Sequence, residues 1–147
     1  MAIASETVTV DYPIGDVFDF LVDGSNNSLW RPEVVSVIFA AGPTERAVWA
    51  QTVKSATGKA VKADYRISRY DRPGKLELTV FNGPSRPTST FTLKSLTSQS
   101  TQVSYAVDVK PLLYPFERTR YGTPAALDAA GNIHNLGAAM AARARKR

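Results

Sequence analysis

Val61–Val109 reads VKADYRISRYDRPGKLELTVFNGPSRPTSTFTLKSLTSQSTQVSYAVDV. It contains four runs of alternating apolar and polar residues, with turn formers between them. In Val61–Tyr70, Val61, Ala63, Tyr65 and Ile67 share one side, and Lys62, Asp64, Arg66 and Ser68 share the other. In Lys75–Phe81, Leu76, Leu78 and Val80 oppose Lys75, Glu77 and Thr79. Phe91 and Leu93 oppose Thr90, Thr92 and Lys94 in Pro87–Leu96, and Val103, Tyr105, Val107 and Val109 oppose Ser104 and Asp108 in Gln102–Val109. A period of two is the mark of a half-buried strand. Asp71-Arg72-Pro73-Gly74, Asn82-Gly83-Pro84 and the polar stretch Thr97–Ser100 are turn signals. Tight turns between such runs describe an antiparallel meander with one wet and one apolar face.

Upstream, Glu6–Asp11, Val34–Phe39 and Ala47–Val53 also read as strands, which makes seven in all. Pro13–Trp30 is a short helical stretch in two parts. Pro13 suits a first helical turn, with Asp11 or Tyr12 near the cap. Val17, Phe18, Leu21 and Val22 form an apolar stripe, and Gly24 stops the first helix. Ser25–Ser28 can cap a second turn that ends at Leu29 and Trp30, before Pro32. Downstream, Thr123 and Pro124 open an alanine-rich helix that runs to about Arg145. Leu127, Ala130, Ile133 or His134, Gly137, Met140, Ala141 and Ala144 would trace its buried stripe. This helix is the one segment large enough to cover the sheet. A curved sheet gripping one helix tends to leave a hollow between them.

The bulk properties agree with one compact unit. The 147 residues, 44% hydrophobic and 21% charged, fit a single domain that buries roughly 68–70% of its unfolded surface. The expected location is cytoplasmic: no apolar run approaches the ~20 residues that cross a bilayer, and no secretory leader is visible. With no cysteine, disulfides and thiolate chemistry are excluded. Of the net charge of +5, four charges sit in the tail at Arg143, Arg145, Lys146 and Arg147, and the rest of the chain is close to neutral. Such a run suits a solvated helix end. It lacks the interleaved aromatics of a nucleic-acid contact.

Several stretches together resemble the START-like helix-grip superfamily (SRPBCC), in particular its polyketide cyclase/dehydrase and lipid-transport group. They are Val8–Val10, Pro13–Leu21, Asn27–Trp30 with Pro32, Trp49 before the Thr57-Gly58 hairpin, Tyr65–Ile67, Asp71–Pro73, and the hairpin from Phe91–Leu93 to Thr101–Val103. The resemblance implies an α+β fold in one START-like domain over residues 1–147. A seven-stranded antiparallel sheet would wrap around a long C-terminal helix, with two short helices after the first strand and an internal cavity for an apolar ligand. Gly131, Asn132, His134, Asn135 and Gly137 give that helix a more polar and broken middle than core packing needs, and a polar roof to the cavity would follow.

The candidate ligand-binding residues are Trp30, Trp49, Gln51, Tyr65, Ile67, Leu78, Phe91, Tyr105, His134 and Met140. Tyr65 and Tyr105 lie on the apolar face, where each hydroxyl needs a partner from backbone, water or ligand. Trp49 and Gln51 alternate onto one face of their strand, and an inward glutamine would be notable. Trp30 either gates the mouth or plugs the end of the core. His134, the only histidine, is a general acid/base candidate beside two asparagines, or a plain surface residue. Arg118, Arg120 and Tyr121 could meet a carboxylate or phosphate at the entrance. Asp64 and Arg66 face the wet side, where an ion pair is worth at most ~1 kcal/mol. No catalytic residue is assigned. No metal site or cofactor is expected, and no GxGxxG, P-loop, HExxH or GxSxG pattern occurs.

Three functions compete. The leading expectation is a carrier or sensor for a hydrophobic small molecule (a lipid, polyketide or aromatic metabolite), with no nucleic-acid partner, no stable membrane insertion and a homodimer left open. The alternative is a polyketide cyclase/dehydrase-type enzyme in the same cavity, with Tyr65, Tyr105 or His134 as its acid/base. The third is an interaction module using the basic tail.

Overall fold

The structure is a computed structural model and describes residues 2–55, 57–109 and 129–145. The strands are β1 (Ala2–Val10), β2 (Val34–Ala41), β3 (Val48–Lys54), β4 (Ala60–Lys62), β5 (Asp64–Asp71), β6 (Lys75–Asn82), β7 (Pro87–Thr97) and β8 (Ser100–Val109). They form one antiparallel sheet in the order β1-β8-β7-β6-β5-β3-β2, with β4 paired to β3. Helices α1 (Ile14–Val22) and α2 (Asn27–Trp30) follow β1, and α3 (Leu136–Arg145) ends the described chain. The architecture is the helix-grip fold read from the sequence.

The expected run Val61–Tyr70 divides at Ala63 into β4 and β5, which raises the count from seven strands to eight. The cause is local. Asp64 Oδ1 takes the backbone N–H of Gln51 at 3.0 Å, a donor the ladder would otherwise use. Pairing keeps its register on both sides of the break, with Thr52 opposite Lys62 and Trp49 opposite Tyr65. Asp64 also approaches Lys62 at 3.7 Å and accepts from Asn82, so its ionic partner is Lys62 and not Arg66.

Other boundaries move for equally local reasons. Pro13, extended in backbone, stands at the cap position of α1 and supplies its carbonyl to Val17 N–H. Asp23 ends α1, and its side chain caps the 3-10 turn Gly24–Asn26 through Ser25 N–H. That leaves the asparagines that follow free for the interior. Arg72, on the β5–β6 turn, grips Asp19 of α1 through Nε and Nη2 at 2.8 and 3.0 Å.

The apolar sides of β1 and of β5 to β8 face α1, α2 and the terminal helical segment. That segment is helical at 129–131, tightens to a 3-10 turn over Asn132–Asn135, and continues as α3. Its buried residues are Ala130, Ile133, Leu136, Ala139 and Met140. The expected α-helical stripe through Gly137, Ala141 and Ala144 is therefore corrected. A 3-10 turn has three residues per turn, so the buried face repeats every third residue across it. The expected N-cap Thr123, Pro124 and Leu127 lie outside the described residues, as do Arg118, Arg120 and Tyr121.

Ile133 is fully buried where this segment closes on the core, whereas Ile38 on edge strand β2 is 67% exposed. Ile133→Ala should cost about 2–5 kcal/mol and Ile38→Ala no more than about 0.5 kcal/mol. Urea unfolding of the two variants checks this; equal losses would show that the terminal segment does not clamp the core.

Candidate functional site

Under the terminal segment the aromatic residues of three elements meet. Phe91 of β7 and Tyr105 of β8 are cross-strand partners, and their rings stack at 4.6 Å with planes 7° apart. Trp30, at the end of α2, sets its ring edge-on to both, at 6.0 and 5.4 Å. Trp30 thus plugs this end of the core; Asn135 Nδ2 bonds its backbone carbonyl at 3.0 Å and ties it to the terminal segment. Tyr65 and Ile67 of β5, Leu78 of β6 and Met140 of α3 complete the apolar surface, and all are buried.

A polar cluster adjoins this surface. Asn27, 3% exposed, donates through Nδ2 to the Tyr65 hydroxyl at 2.9 Å and to Gln51 Oε1 at 3.0 Å. Gln51 does face inward, and its Nε2 donates to the Ala63 carbonyl at 3.3 Å. Asn26 Nδ2 donates to the Phe20 carbonyl, but among the described residues Asn26 Oδ1 and Trp49 Nε1 are buried without a partner. Gly24 makes room for this cluster: a Cβ there would stand 2.5 Å from Trp49 Cδ2 and 2.6 Å from the Tyr65 oxygen. Burial pushes the Tyr65 phenol up to about 12, against the opposing effects of the Asn27 bond and Arg31. At neutral pH Tyr65 is a hydrogen-bonding group and not a base.

Beside Trp30 stands Arg31, whose guanidinium lies 5.9 Å from the Trp30 ring centroid. Its Nε donates to Glu33 Oε2 at 3.1 Å, and Glu33 Oε1 accepts from Asn132 Nδ2 of the terminal segment at 2.9 Å. These three side chains form the seam between α2, β2 and the terminal helix. His134 is on the other flank, half exposed, with Nε2 3.4 Å from Glu6 Oε1 on edge strand β1.

A separate half-open hollow of about 480 Å3 lies between α1 and the β2–β3 loop, walled by Phe39, Trp49 and Tyr70, with Asp19 and Asp23 among its lining residues. A polar hollow of similar size sits on the wet face around Arg66 and Asp108. Among the described residues no three metal-ligating side chains converge, and no helix is long and apolar enough to cross a membrane.

The family model described as polyketide cyclase / dehydrase and lipid transport matches residues 1–144. The chain belongs to this family. The comparison with curated proteins finds no match. Among solved structures, one from Thermus thermophilus is similar at 15% identity and TM-score 0.79, covering 97% of this chain and 99% of that one. A START superfamily protein from Mycobacterium smegmatis matches at 16% identity and TM-score 0.70, with 98% and 97% covered. The Zhui aromatase/cyclase from Streptomyces sp. R1128 matches at 17% identity and TM-score 0.72, with 99% and 94% covered. At these identities the likeness is one of fold.

Within this cyclase/dehydrase and lipid-transport fold, the ten candidate residues separate. Trp30, Phe91 and Tyr105 pack ring to ring; Ile67, Leu78 and Met140 are buried in the same core. Tyr65 and Gln51 meet through Asn27. Trp49 borders the separate hollow beside Phe39, and His134 stands at the sheet edge. Sequence reasoning passed over Asn27, Arg31 and Glu33 as site residues. Asn27 had a signal: it is three residues before Trp30 on one short helix, so the two share a face. Arg31 and Glu33 flank Pro32 and carry no periodic signal.

Raising the Tyr65 pKa makes its neutral form part of the fold. The unfolded phenol titrates near 10 and the folded one at about 12. The corresponding stability is fully present below pH 10 and is lost as pH rises through 12, by about 2–3 kcal/mol. Tyr65→Phe should cost about 1 kcal/mol at pH 7 and flatten the decline above pH 10, measured as urea midpoints at intervals up to pH 11.5. An unchanged alkaline slope would show that Tyr65 is not the titrating group.

Proposed function

We propose that this chain binds a hydrophobic small molecule, of the lipid, polyketide or aromatic class, between the apolar face of its sheet and the terminal helix. The observation that carries the reading is the continuous aromatic and aliphatic surface of Trp30, Tyr65, Ile67, Leu78, Phe91, Tyr105 and Met140. It lies in a fold whose family is described by cyclase, dehydrase and lipid-transport activities. Removing apolar ligand surface from water would supply about 25 cal/mol per Å2 before ordering costs.

The surface is closed in this structure: Phe91 is 1% exposed, and Tyr65 and Tyr105 2%. A ligand must therefore separate the covering segments from the sheet. The measured affinity is then the intrinsic one reduced by the fraction of molecules that are open.

Binding is favoured over catalysis by the state of the candidate acid/base groups. The Tyr65 hydroxyl is engaged by the buried Asn27 amide, and His134 is half exposed and faces Glu6 at the edge of β1. A cyclase reading instead uses Tyr65 as a hydrogen-bond donor and the closed face as a mould for a reactive chain. Neutral N-phenyl-1-naphthylamine should show saturable fluorescence with the purified chain, and a long-chain lipid or aromatic polyketide should displace it. Leu78→Trp, which adds bulk to the proposed site, should weaken probe binding by about tenfold, the loss expected when binding forfeits about 1.4 kcal/mol. Failure of any probe to bind would remove this reading and leave the architecture alone.

A further inference from the structure

The Arg31 side chain is only 18% exposed, yet one of its three guanidinium nitrogens has a protein partner among the described residues. Glu33 takes Nε alone, and its second oxygen is already bonded to Asn132. The outer edge of the fork, Nη1 and Nη2, is left without one among these residues. This differs from Arg72, which closes on Asp19 with two nitrogens and two oxygens at the surface. A sheltered guanidinium with an open two-nitrogen edge has the geometry that matches a carboxylate by two parallel N–H···O bonds.

Its surroundings specify the rest of the ligand. The guanidinium neighbours Trp30, and Trp30 leads directly to Tyr105 and Phe91. The apolar surface and the open cationic edge are thus contiguous. We propose that Arg31 anchors the carboxylate head of an otherwise apolar ligand, whose body lies along the Trp30–Tyr105–Phe91 surface. This rests on the binding function proposed above and narrows its ligand to anionic amphiphiles and acidic aromatic compounds. Glu33 has the opposite effect: it neutralises part of the Arg31 charge while the site is empty and competes with an entering anion. Burial alone would weaken the Arg31 charge. Tyr105, Glu33 and Tyr65 offset that and raise its pKa, so the cation persists through the physiological range.

The test compares dodecanoate with methyl dodecanoate as displacers of N-phenyl-1-naphthylamine from the full chain. The wild type should prefer the carboxylate by about tenfold or more, the range of a charge-assisted hydrogen bond. Arg31→Gln should bring the ratio near one. Glu33→Gln should raise the ratio above wild type by removing the competing carboxylate; it also keeps the proposal testable if the Arg31 variant does not fold. Equal displacement by acid and ester in the wild type, or a preference that survives Arg31→Gln, would overturn the anchor while leaving probe binding intact. Absence of probe binding in the wild type would overturn the proposed binding function and the anchor with it.

Discussion

A sheet with one apolar face must have that face covered, and the cover in this fold is assembled from short pieces. Burial of Val17, Phe18, Leu21, Ile133, Leu136 and Met140 in one core with the apolar sides of β1 and β5 to β8 removes their apolar surface from water. Helices α1 and α2 are too short to be stable alone. Their helicity depends on the sheet, and the sheet's one-sided pattern depends on them. The 3-10 turn at Asn132–Asn135 belongs to the same constraint. It sets Ala130, Ile133, Leu136 and Ala139 at three-residue intervals toward the core and directs Asn132 and Asn135 to α2 and its flank.

Polar groups within this cover give it a unique position. Apolar packing alone tolerates sliding, but the Asn27 amide reaches Tyr65 and Gln51 only in one placement of α2. A buried amide that lost those partners would bear its full desolvation cost. The Asn135 bond to the Trp30 carbonyl and the Asn132 bond to Glu33 fix the terminal segment in turn. Trp30, between these two sets of bonds, is held from both sides.

The sheet was legible because it follows a period of two and its turns are marked by glycine, proline and asparagine. Tyr65, Ile67, Leu78, Phe91 and Tyr105 are buried on the face that the alternation assigns. The division at Ala63 was not legible, because it depends on a side chain, Asp64, displacing a backbone acceptor. The terminal stripe shifted because periodicity was read as 3.6 where the chain adopts 3.0 over four residues. The candidate site was half visible. Aromatic residues declare themselves by alternation, whereas Asn27 and Arg31 acquire their roles from tertiary contacts made 24 to 99 residues away, counting the Arg31 partner Glu33 with its bond to Asn132.

Under the proposed binding function, the closed face and the seam beside it would divide the work of admitting a ligand. Separating Ile133 and Leu136 from the core exposes apolar surface, a cost that a ligand's own apolar body can offset by taking their place. The polar links break differently: Asn132, Glu33 and the Trp30 carbonyl can exchange a protein partner for water at small net change. Arg31 and Glu33 are both partly solvated, at 18% and 28% exposure, so their pair is already in contact with the medium an incoming anion arrives from. An acidic head of the kind proposed for Arg31 would therefore meet the guanidinium without first displacing the apolar packing. If Arg31 is the anchor proposed above, the head would engage first and the apolar body second.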